Sequence, residues 1–465
     1  MARQPWQGER VMGFAKDFVW GAATASYQIE GAAAEDGRGE SVWDTYCKRP
    51  GAVWEGQSGD VACDHYHHWK EDVGLMKRIG LKAYRFSIAW PRVVPDGVGA
   101  VNPKGLAFYS RLVDELLAAG IEPWPTLFHW DMPQGAFDRG GWLNRESADW
   151  FAEYATAVVD ALGDRVRNWF TLNEPQCFIG FGHRDSLQAP GLKLSRSEWL
   201  RAGHHALLAH GRAVQVIRSR AKAPCRVSWA PVGWSKMPAT NNSEDIEAAR
   251  EATFAVTDEM INNAWWMDPV YLGRYPEDGL ELYGSDAPEV QPGDMELIAQ
   301  PLDLQAFNTY NGQLIRRGAD GRPELVALPT GYPMNFFHGS ITPPCLYWTP
   351  KFMYERYKLP VAISENGMSN ADWVALDGGV RDGARIDMLR RYLLEFERCG
   401  DEGVPLAGYF LWSLMDNFEW SHGYKQRFGI IHVDFTTGKR TLKDSALWYR
   451  DVIATGGRKL HEGLT

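Results

Sequence analysis

Two glutamates stand at the ends of short apolar segments, each followed by residues that break regular structure. Glu174 lies in Thr-Leu-Asn-Glu-Pro at 171–175, and Glu365 lies in Ile-Ser-Glu-Asn-Gly at 363–367. A short apolar run bounded by Gly or Pro is typical of a buried strand. Because residues just beyond strand ends line the ligand crevice of α/β proteins, we expect both carboxyl groups at one crevice. Two carboxyl groups that face one bond are the minimal requirement for glycoside hydrolysis.

The apolar pattern also predicts the elements that position these glutamates. Strands are predicted at 18–24, 81–88, 121–128, 167–172, 226–231, 302–308, 360–364 and 406–412. Helices are predicted at 64–80, 102–120, 146–162, 197–220, 244–264, 349–357, 383–400 and 441–454. Eight strands that alternate with helices predict an α/β fold, a single-domain (β/α)8 TIM barrel with long βα loops. A doubly wound open sheet is the alternative, weakened because no Gly-x-Gly-x-x-Gly follows the first strand.

No linker, repeat or low-complexity segment divides the chain, so one domain is expected. We predict an N-terminal arm at 1–13, the barrel at 14–455 and a C-terminal tail at 456–465. The polar, Gly-rich segment that ends near residue 60 reads as a long loop carrying Trp43 and Trp54. Long loops in compact domains are usually functional or disordered, and two tryptophans favour an ordered loop.

Composition narrows the class of ligand. The formal net charge of −10 argues against nucleic acid, which requires basic patches, and provides no polybasic signal for a membrane surface. The chain contains 21 Trp, 18 Tyr and 20 Phe residues. Most of these rings are expected in the core, but tryptophan also provides the flat apolar platform that a sugar ring stacks on.

The cysteines and the N-terminus bear on the cellular compartment. The six cysteines are scattered with no Cys-x-x-Cys, which argues against a disulfide framework or zinc site and favours a reducing compartment. The first 14 residues contain no apolar signal region, and no stretch approaches 18 apolar residues. We therefore expect a cytoplasmic protein.

Hydrogen-bonding and aromatic side chains follow most of the predicted strands. Besides the two glutamates, this set contains Gln28, Arg85, His129, Trp130, Asn173, Asn308, Tyr310, Trp412, Glu419 and Trp420. Each residue alone also has a purely structural interpretation, such as a buried histidine with satisfied hydrogen bonds. Together on one face of a barrel they suit a neutral polyhydroxylated ligand, because amides, imidazole and carboxylates bind hydroxyls.

Longer motifs resemble a known family. TLNEP, SENG, DHYHHWKEDVGLMKRIGLKAYRFSIAWPR, LFHWDMPQ and LWSLMDNFEWSHGYKQRFG resemble the corresponding motifs of glycoside hydrolase family 1. The resemblance runs from about Phe14 to Tyr449. It implies a (β/α)8 barrel and a β-glycosidase that retains anomeric configuration, with no metal and no organic cofactor.

The resemblance also assigns roles to individual residues. It makes Glu174 the general acid/base and Glu365 the nucleophile, with Arg85 and Tyr310 as hydrogen-bond partners of the nucleophile. We expect these two partners to lower the pKa of Glu365, and burial beside a negative charge to keep Glu174 protonated. The residues implied to bind the sugar are Gln28, His129, Asn173, Glu419 and Trp420 through hydrogen bonds, Trp412 through stacking, and Phe428 near the sixth carbon. Asn308 matches the first position of the family's Asn-Tyr-Tyr, and a retaining enzyme requires carboxyl groups about 5–5.5 Å apart.

The expected partner is a small-molecule β-glucoside, with no nucleic acid or membrane, and the oligomeric state stays open. The favoured substrates are cellobiose, short cello-oligosaccharides and aryl β-glucosides, with β-galactosidase and β-fucosidase side activity. A 6-phospho-β-glucosidase is an alternative for which Lys425 is a partial match, but Glu419 would repel the phosphate. A non-catalytic sugar-binding relative is the other alternative, and such proteins typically lack one of the glutamates.

The leaving-group side departs from the family pattern. Gln188 replaces the usual histidine before Ala-Pro-Gly, and the usual tryptophan is missing from MNFFHGSITPPCLYW. Phe336, Phe337 or Trp348 are the candidate substitutes. Cys177 is expected to be inert but is placed to face the site. The histidines at 65–68 and His204, His205 and His210 are interpreted as structural.

Overall fold

Eight parallel strands form the centre of the protein in the computed structural model, which describes residues 14–463. In chain order these strands are β1 Val19–Ala23, β2 Ala83–Ser87, β3 Glu122–Phe128, β4 Asn168–Asn173, β5 Arg226–Ala230, β6 Gln305–Asn308, β7 Val361–Asn366 and β8 Leu406–Trp412. Their order in the sheet is β5-β4-β3-β2-β1-β8-β7-β6. All eight match a predicted strand, and the predicted arm at 1–13 lies outside the described residues.

The sheet closes into a barrel through a short seam between β5 and β6. One parallel bridge joins Val232 to Asn308, and the Asn308 N–H donates to the Pro231 carbonyl at 2.9 Å. The other seven neighbouring strand pairs form parallel ladders, including β1 with β8, and the register shifts in three of them: β4 with β5, β7 with β6 and β7 with β8. The predicted (β/α)8 barrel is confirmed, and the carboxyl ends of all eight strands meet at one rim.

Nine helices of ten or more residues cover the described barrel. They span His65–Ile79, Pro103–Ala118, Ser147–Leu162, Arg196–Arg220, Ser243–Phe254, Asn263–Leu272, Cys345–Tyr357, Gly383–Asp401 and Asp444–Ala454. Pro103–Ala118 shows how the sequence sets such a helix. Asn102 caps it by accepting a hydrogen bond from the Lys104 N–H, Pro103 occupies the first turn, and Gly120 follows its end at φ 75°. Its buried face packs Phe108, Leu112, Val113 and Leu116 against the barrel.

The predicted helix at 244–264 is wrong, because two helices with a loop between them occupy this region. The Asn262 amide donates to the carbonyls of Thr257 and Glu259, at 3.0 and 2.7 Å. Side-chain bonds of this kind compete with helical backbone bonds and stabilise a loop.

Shorter helical elements lie in the segments between these strands and helices. Short helices span Ser26–Ile29, Val42–Cys47, Trp90–Val93, Gln134–Asp138, Pro175–Ile179, Glu277–Tyr283 and Asp294–Ile298. Single turns of tighter or wider helix span Trp54–Gly56, Gly141–Leu143, Gly180–Arg184, Gly284–Asp286, Trp420–Lys425 and Arg458–His461. Val42–Cys47 lies inside the predicted long loop, where Ser41 and Asp44 form a capping box that sequence reasoning overlooked.

Two small sheets were also absent from the predictions. Ser235–Pro238 pairs with Gly312–Arg317, which pairs with Pro323–Val326, and we call these three strands the accessory sheet. Ile431–Val433 pairs with Arg440–Leu442. The first two strands of the accessory sheet continue the chain beyond β5 and β6, so this sheet extends the seam above the rim.

A buried ionic network fastens the loops that follow β7 and β8. The Lys443 ammonium lies 2.6 Å from Asp372 and 2.7 Å from Asp416, and all three side chains have 0% exposure. Arg385 also pairs with Asp372, and Arg427 pairs with Asp416. Buried charges of this kind are tolerated only when paired, so the network fixes both loops relative to the barrel. No helix in residues 14–463 is long and apolar enough to span a bilayer.

Candidate active site

A cavity of about 270 Å³ opens at the carboxyl rim of the barrel, and both predicted catalytic glutamates line it. The other predicted residues in its wall are His129, Trp130, Asn308, Tyr310, Trp412, Glu419, Trp420 and Phe428. Gln28, Arg85 and Asn173 lie behind this wall and contact its residues through hydrogen bonds. The structure therefore gathers all the predicted site residues at one place.

Glu365 is held by a cation and a phenol. Arg85 Nη1 donates to Glu365 Oε1 at 2.6 Å, and the Tyr310 hydroxyl donates to Oε2 at 2.7 Å. Arg85 is 1% exposed and its Nη2 donates to Asn173 Oδ1 at 2.5 Å, so the guanidinium is fixed between two strand ends. Both donors favour the ionised carboxylate that a nucleophile requires.

Burial sets the net direction of the Glu365 pKa, although Arg85 and Tyr310 lower it as expected. Burial raises the pKa of Glu365 above its ordinary value, and this is the largest effect. Arg85 and Tyr310 act in the expected downward direction and offset part of the rise. The cost of removing a carboxylate from water explains why burial outweighs two good donors.

Glu174 has no comparable cation. It stands at the end of β4 with φ 45°, and its Oε1 accepts a hydrogen bond from Asn308 Nδ2 at 2.8 Å. Burial, then the negative charge of Glu365, raises the pKa of Glu174 to about 8. Cys177 lines the same cavity and hydrogen-bonds the Glu174 carboxyl, as expected for a residue three positions further along. Of these two glutamates, Glu174 is thus placed to hold a proton at neutral pH.

Asn308 links the two glutamate-bearing strands. Its Nδ2 also donates to Asn173 Oδ1 at 3.1 Å, and its Oδ1 accepts a hydrogen bond from Ser364 Oγ at 2.7 Å. Ser364 directly precedes Glu365, so its hydroxyl fixes the amide that contacts Glu174. The sequence alone identifies Ser364 only as a residue at a strand end, with no indication of this contact.

Glu419 and Gln28, which lies behind it, form a polar part of the same site. Gln28 Nε2 donates to Phe418 O at 2.9 Å, Asn417 Oδ1 at 3.1 Å and Glu419 Oε2 at 3.4 Å. Gln28 Oε1 is buried and has no partner within residues 14–463. Burial, then the charges of Glu365 and Glu174, raises the pKa of Glu419 to about 8. The unpaired Gln28 Oε1 is suited to accept a hydrogen bond from a hydroxyl group of a ligand.

Aromatic rings enclose the same end of the cavity. The rings of His129 and Trp412 lie 5.7 Å apart at 25°, and those of Trp130 and Trp420 lie 4.6 Å apart. Trp130 Nε1 donates to the Asn173 carbonyl at 3.0 Å, so Trp130 acts as a wall. His129 Nε2 accepts a hydrogen bond from Asn173 Nδ2 at 3.0 Å, and burial lowers the pKa of His129 well below its usual value. The neutral ring therefore carries its hydrogen on Nδ1.

The opposite end of the cavity differs from the expectations. Phe337 lines it, with its ring 5.8 Å from that of Phe428. Trp348 is a wrong candidate, because it is buried in the helix Cys345–Tyr357 against Phe352. Phe336 is 46% exposed and lies outside the cavity wall. Residues that sequence reasoning missed here are Phe181, Val232, Gly233, Trp234, Ile261, Asn311, Asn335 and Gly339. The sequence offered one signal for this wall, which is Trp234, a tryptophan four positions after the end of β5.

The other conspicuous side chains take structural roles. His65 pairs with Asp72 at 2.7 Å, His204 contacts Tyr275 and Asp294, and His210 contacts Thr171. Lys425 places its ammonium over the Trp54 ring at 4.1 Å, outside the cavity wall.

A barrel with paired buried carboxyl groups at its carboxyl rim has the architecture of a glycoside hydrolase. The family model described as Glycosyl hydrolase family 1 matches residues 11–458, and the chain belongs to that family. The predicted family membership is thereby confirmed.

Known relatives match over almost the full length. Beta-glucosidase A of Thermotoga maritima is 44% identical over 445 residues, which cover 96% of this chain and 98% of that protein. A bifunctional beta-D-glucosidase/beta-D-fucosidase of Bifidobacterium breve is 41% identical, covering 95% of this chain and 98% of that protein. The structure of the Thermotoga maritima beta-glucosidase in complex with glucoimidazole superposes with a TM-score of 0.88 at 44% identity, covering 96% of this chain and 100% of that one.

Proposed function

We propose that the protein is a retaining β-glucosidase that removes terminal non-reducing β-D-glucosyl residues. The observation that carries this proposal is the unequal environment of two glutamates in one cavity. Arg85 and Tyr310 hold Glu365 through charge and hydrogen bonding, whereas Glu174 contacts the neutral amide of Asn308. This asymmetry supports Glu365 as the anionic nucleophile and Glu174 as the proton carrier.

The first displacement forms a bond between a Glu365 oxygen and the anomeric carbon. The bond from that carbon to the glycosidic oxygen breaks, and Glu174 transfers its proton to the departing oxygen. The product is a covalent glycosyl ester on Glu365 and an ionised Glu174.

The second displacement reverses these roles. Esterification removes the negative charge of Glu365, which is the second contributor to the raised pKa of Glu174, so that pKa falls. Glu174 takes a proton from water as the water oxygen attacks the anomeric carbon, and Glu365 departs as a carboxylate. Two inversions give a β-configured product, and we expect a carboxyl separation of about 5–5.5 Å.

The sugar-facing wall supports a neutral glucosyl group. Glu419, Gln28 and His129 offer acceptors and a donor to hydroxyls, and the ring of Trp412 offers a stacking surface. None of the described residues that line the cavity is a lysine or an arginine that could pair with a 6-phosphate, and Lys425 lies outside the cavity wall over Trp54. Side activity on β-fucosides and β-galactosides is part of the proposal, supported by the bifunctional relative's name.

We include cellobiose, short cello-oligosaccharides and aryl β-glucosides as substrates, with a role in cellulose degradation. We also propose a cytoplasmic location, supported by six cysteines that are all free thiols. Growth on cellobiose tests the role in cellulose degradation, and cell fractionation tests the cytoplasmic location.

The proposal is tested by proton NMR of the glucose as it is first released from 4-nitrophenyl β-glucoside. A β-glucose signal that appears before mutarotation supports retention, and initial α-glucose contradicts it. Hydrolysis restricted to the 6-phosphorylated glucoside would favour the phospho-specific alternative. No nitrophenol release from either substrate between pH 4 and 9 would favour a non-catalytic sugar-binding protein.

A further inference from the structure

A second cavity, of about 330 Å³, lies beside the candidate active site on the leaving-group side. Trp234 and Ile261 line both cavities, so the two spaces share a wall. The second cavity is built by the accessory sheet and by the loop that splits the predicted helix at 244–264. Neither segment holds a catalytic or sugar-facing residue.

Lys236 is the distinctive group in this second cavity. It is partly buried and lies on the first strand of the accessory sheet, with its ammonium 5.8 Å from the centre of the Trp234 ring. Its hydrogen-bond partner is the neutral Gln313 Oε1 at 2.5 Å. Within residues 14–463, no carboxylate oxygen lies within 4.0 Å of this ammonium. Burial costs this ammonium free energy that the charge of the exposed Glu259 offsets only in part, and a bound anion would recover the rest.

The surroundings make the second cavity cationic on balance. Arg322 lines the same space and is exposed, and Glu259 is the one carboxylate in the described wall. The Nε1 of Trp234 is buried and lacks a hydrogen-bond partner in the described chain, which leaves a donor in the shared wall. An indole beside an ammonium and a guanidinium suits a ligand with a flat ring and a negatively charged end.

We propose that the second cavity binds a carboxylate carried by the aromatic leaving group of the substrate. The ring packs on Trp234, and the carboxylate pairs with Lys236, with Arg322 as an outer contact. The protein would thus prefer β-glucosides of phenolic acids over matched neutral aryl β-glucosides. This inference rests on the proposed β-glucosidase function, because it concerns the group that leaves from the same site.

The test compares two substrates that differ only in charge. They are the β-glucosides of 3-(4-hydroxyphenyl)propanoate and of its carboxamide, in which a saturated linker keeps the phenol leaving groups alike. We expect kcat/KM of the wild-type protein to be about tenfold higher for the carboxylate, the range of a charge-assisted hydrogen bond that is partly exposed. The ratio should fall towards one as salt rises.

Variants assign the preference to Lys236. Lys236→Met should bring the ratio to about one, Lys236→Arg should keep most of it, and Arg322→Ala should reduce it partially. Lys459→Met removes a partly exposed lysine on the C-terminal segment and should leave the ratio unchanged. Hydrolysis of phenyl β-glucoside, which carries no charged extension, tests the proposed function separately. If the wild-type protein does not hydrolyse this substrate, the proposed β-glucosidase function is contradicted rather than the role of Lys236.

A ratio near one in the wild type, or the same ratio in all variants that hydrolyse phenyl β-glucoside, overturns the inference. Free 3-phenylpropanoate and inorganic phosphate are tested against phenyl β-glucoside hydrolysis. Inhibition by either anion in the wild type but not in Lys236→Met, together with a ratio of one, would show a site for free anions and would also overturn the leaving-group assignment.

Discussion

Asn308 Nδ2 donates a hydrogen bond to Glu174 Oε1 at 2.8 Å, and this contact favours one of the two oxygens of the Glu174 carboxyl group as the carrier of its proton. Because the carbonyl oxygen of a neutral carboxyl group is a better acceptor than its hydroxyl oxygen, the hydrogen of neutral Glu174 is favoured on Oε2. Ser364 Oγ holds the other end of the same amide at 2.7 Å. The proposed proton donor is therefore oriented by the residue that precedes the proposed nucleophile.

Glu174→Gln should separate substrates by their leaving groups. An amide cannot protonate the departing oxygen, so hydrolysis of cellobiose and phenyl β-glucoside should fall by about 10²–10⁴-fold, the usual contribution of a general acid. Dinitrophenyl β-glucoside needs little protonation and should lose far less in the first step. Steady-state rates on this series provide the measurement, and equal losses across it would contradict the acid role.

Glu365→Gly should abolish hydrolysis of aryl β-glucosides, since the anomeric carbon loses its nucleophile. Added azide should then attack from the vacated side and give an α-configured product from a β-glucoside. In Glu174→Gly, by contrast, azide should intercept the covalent intermediate and give a β-glucosyl azide. NMR of the two azides distinguishes the roles, and the reverse pattern would exchange the assignments of the two glutamates.

The pH profile of kcat/KM should be bell-shaped. Activity should fall as pH rises through about 8, because burial and the charge of Glu365 raise the pKa of Glu174 to that value and its proton is then lost. Activity should fall at low pH as Glu365 becomes protonated. The two apparent values belong to the pair of glutamates, since their charges interact.

Tyr310→Phe should move one limb of that profile. The hydroxyl donates to Glu365 Oε2 at 2.7 Å and stabilises the ionised carboxylate. Without it the pKa of Glu365 rises further, so the acidic limb should move to higher pH and the bell should narrow. Tyr392→Phe, which removes a hydroxyl that donates to the Tyr310 backbone, is the matched control. An unchanged acidic limb in Tyr310→Phe would show that the hydroxyl does not control the ionisation of Glu365.

Lys443→Met should destabilise the fold by about 3 kcal/mol, because it leaves Asp372 and Asp416 buried with one cationic partner fewer each. Urea unfolding measures the loss, with Lys459→Met, an exposed pair with Glu462, as the control. A stability equal to that of the wild type would mean that Arg385 and Arg427 alone satisfy the two carboxylates.

The sequence predicted the barrel, and the gathering of the candidate site residues at its rim, for a physical reason. Each of the eight strands ends where an apolar run meets a polar residue or a chain breaker, and that boundary also places the side chain at the rim. Cys177 was expected to face the site on the same reasoning, and it does.

The leaving-group wall was less predictable because its residues come from irregular segments. Trp234 and Ile261 flank short elements whose pairing depends on distant strands, and the loop before Asn263 depends on side-chain hydrogen bonds of Asn262. The direction of the Glu365 pKa was also unpredictable, because it depends on how deeply the whole cavity buries this carboxyl group, and no local sequence motif indicates that depth. The positions of residues in the sequence predict which hydrogen-bond donors surround Glu365. They do not predict how far the folded chain removes its carboxyl group from water.

The segments proposed to bind the leaving group and those proposed to bind the sugar lie on different parts of the rim, and the short seam between β5 and β6 lies on the leaving-group part. The accessory sheet lies above this seam and shapes one wall of the leaving-group space, while Gln28, His129 and Glu419 belong to segments near β1, β3 and β8 on another part of the rim. The turn between Arg317 and Pro323 can thus vary in length or composition without disturbing the groups that we propose to hold glucose. Diversification of this hairpin, by evolution or by a directed library, offers a way to change what is released while the sugar that is recognised stays the same.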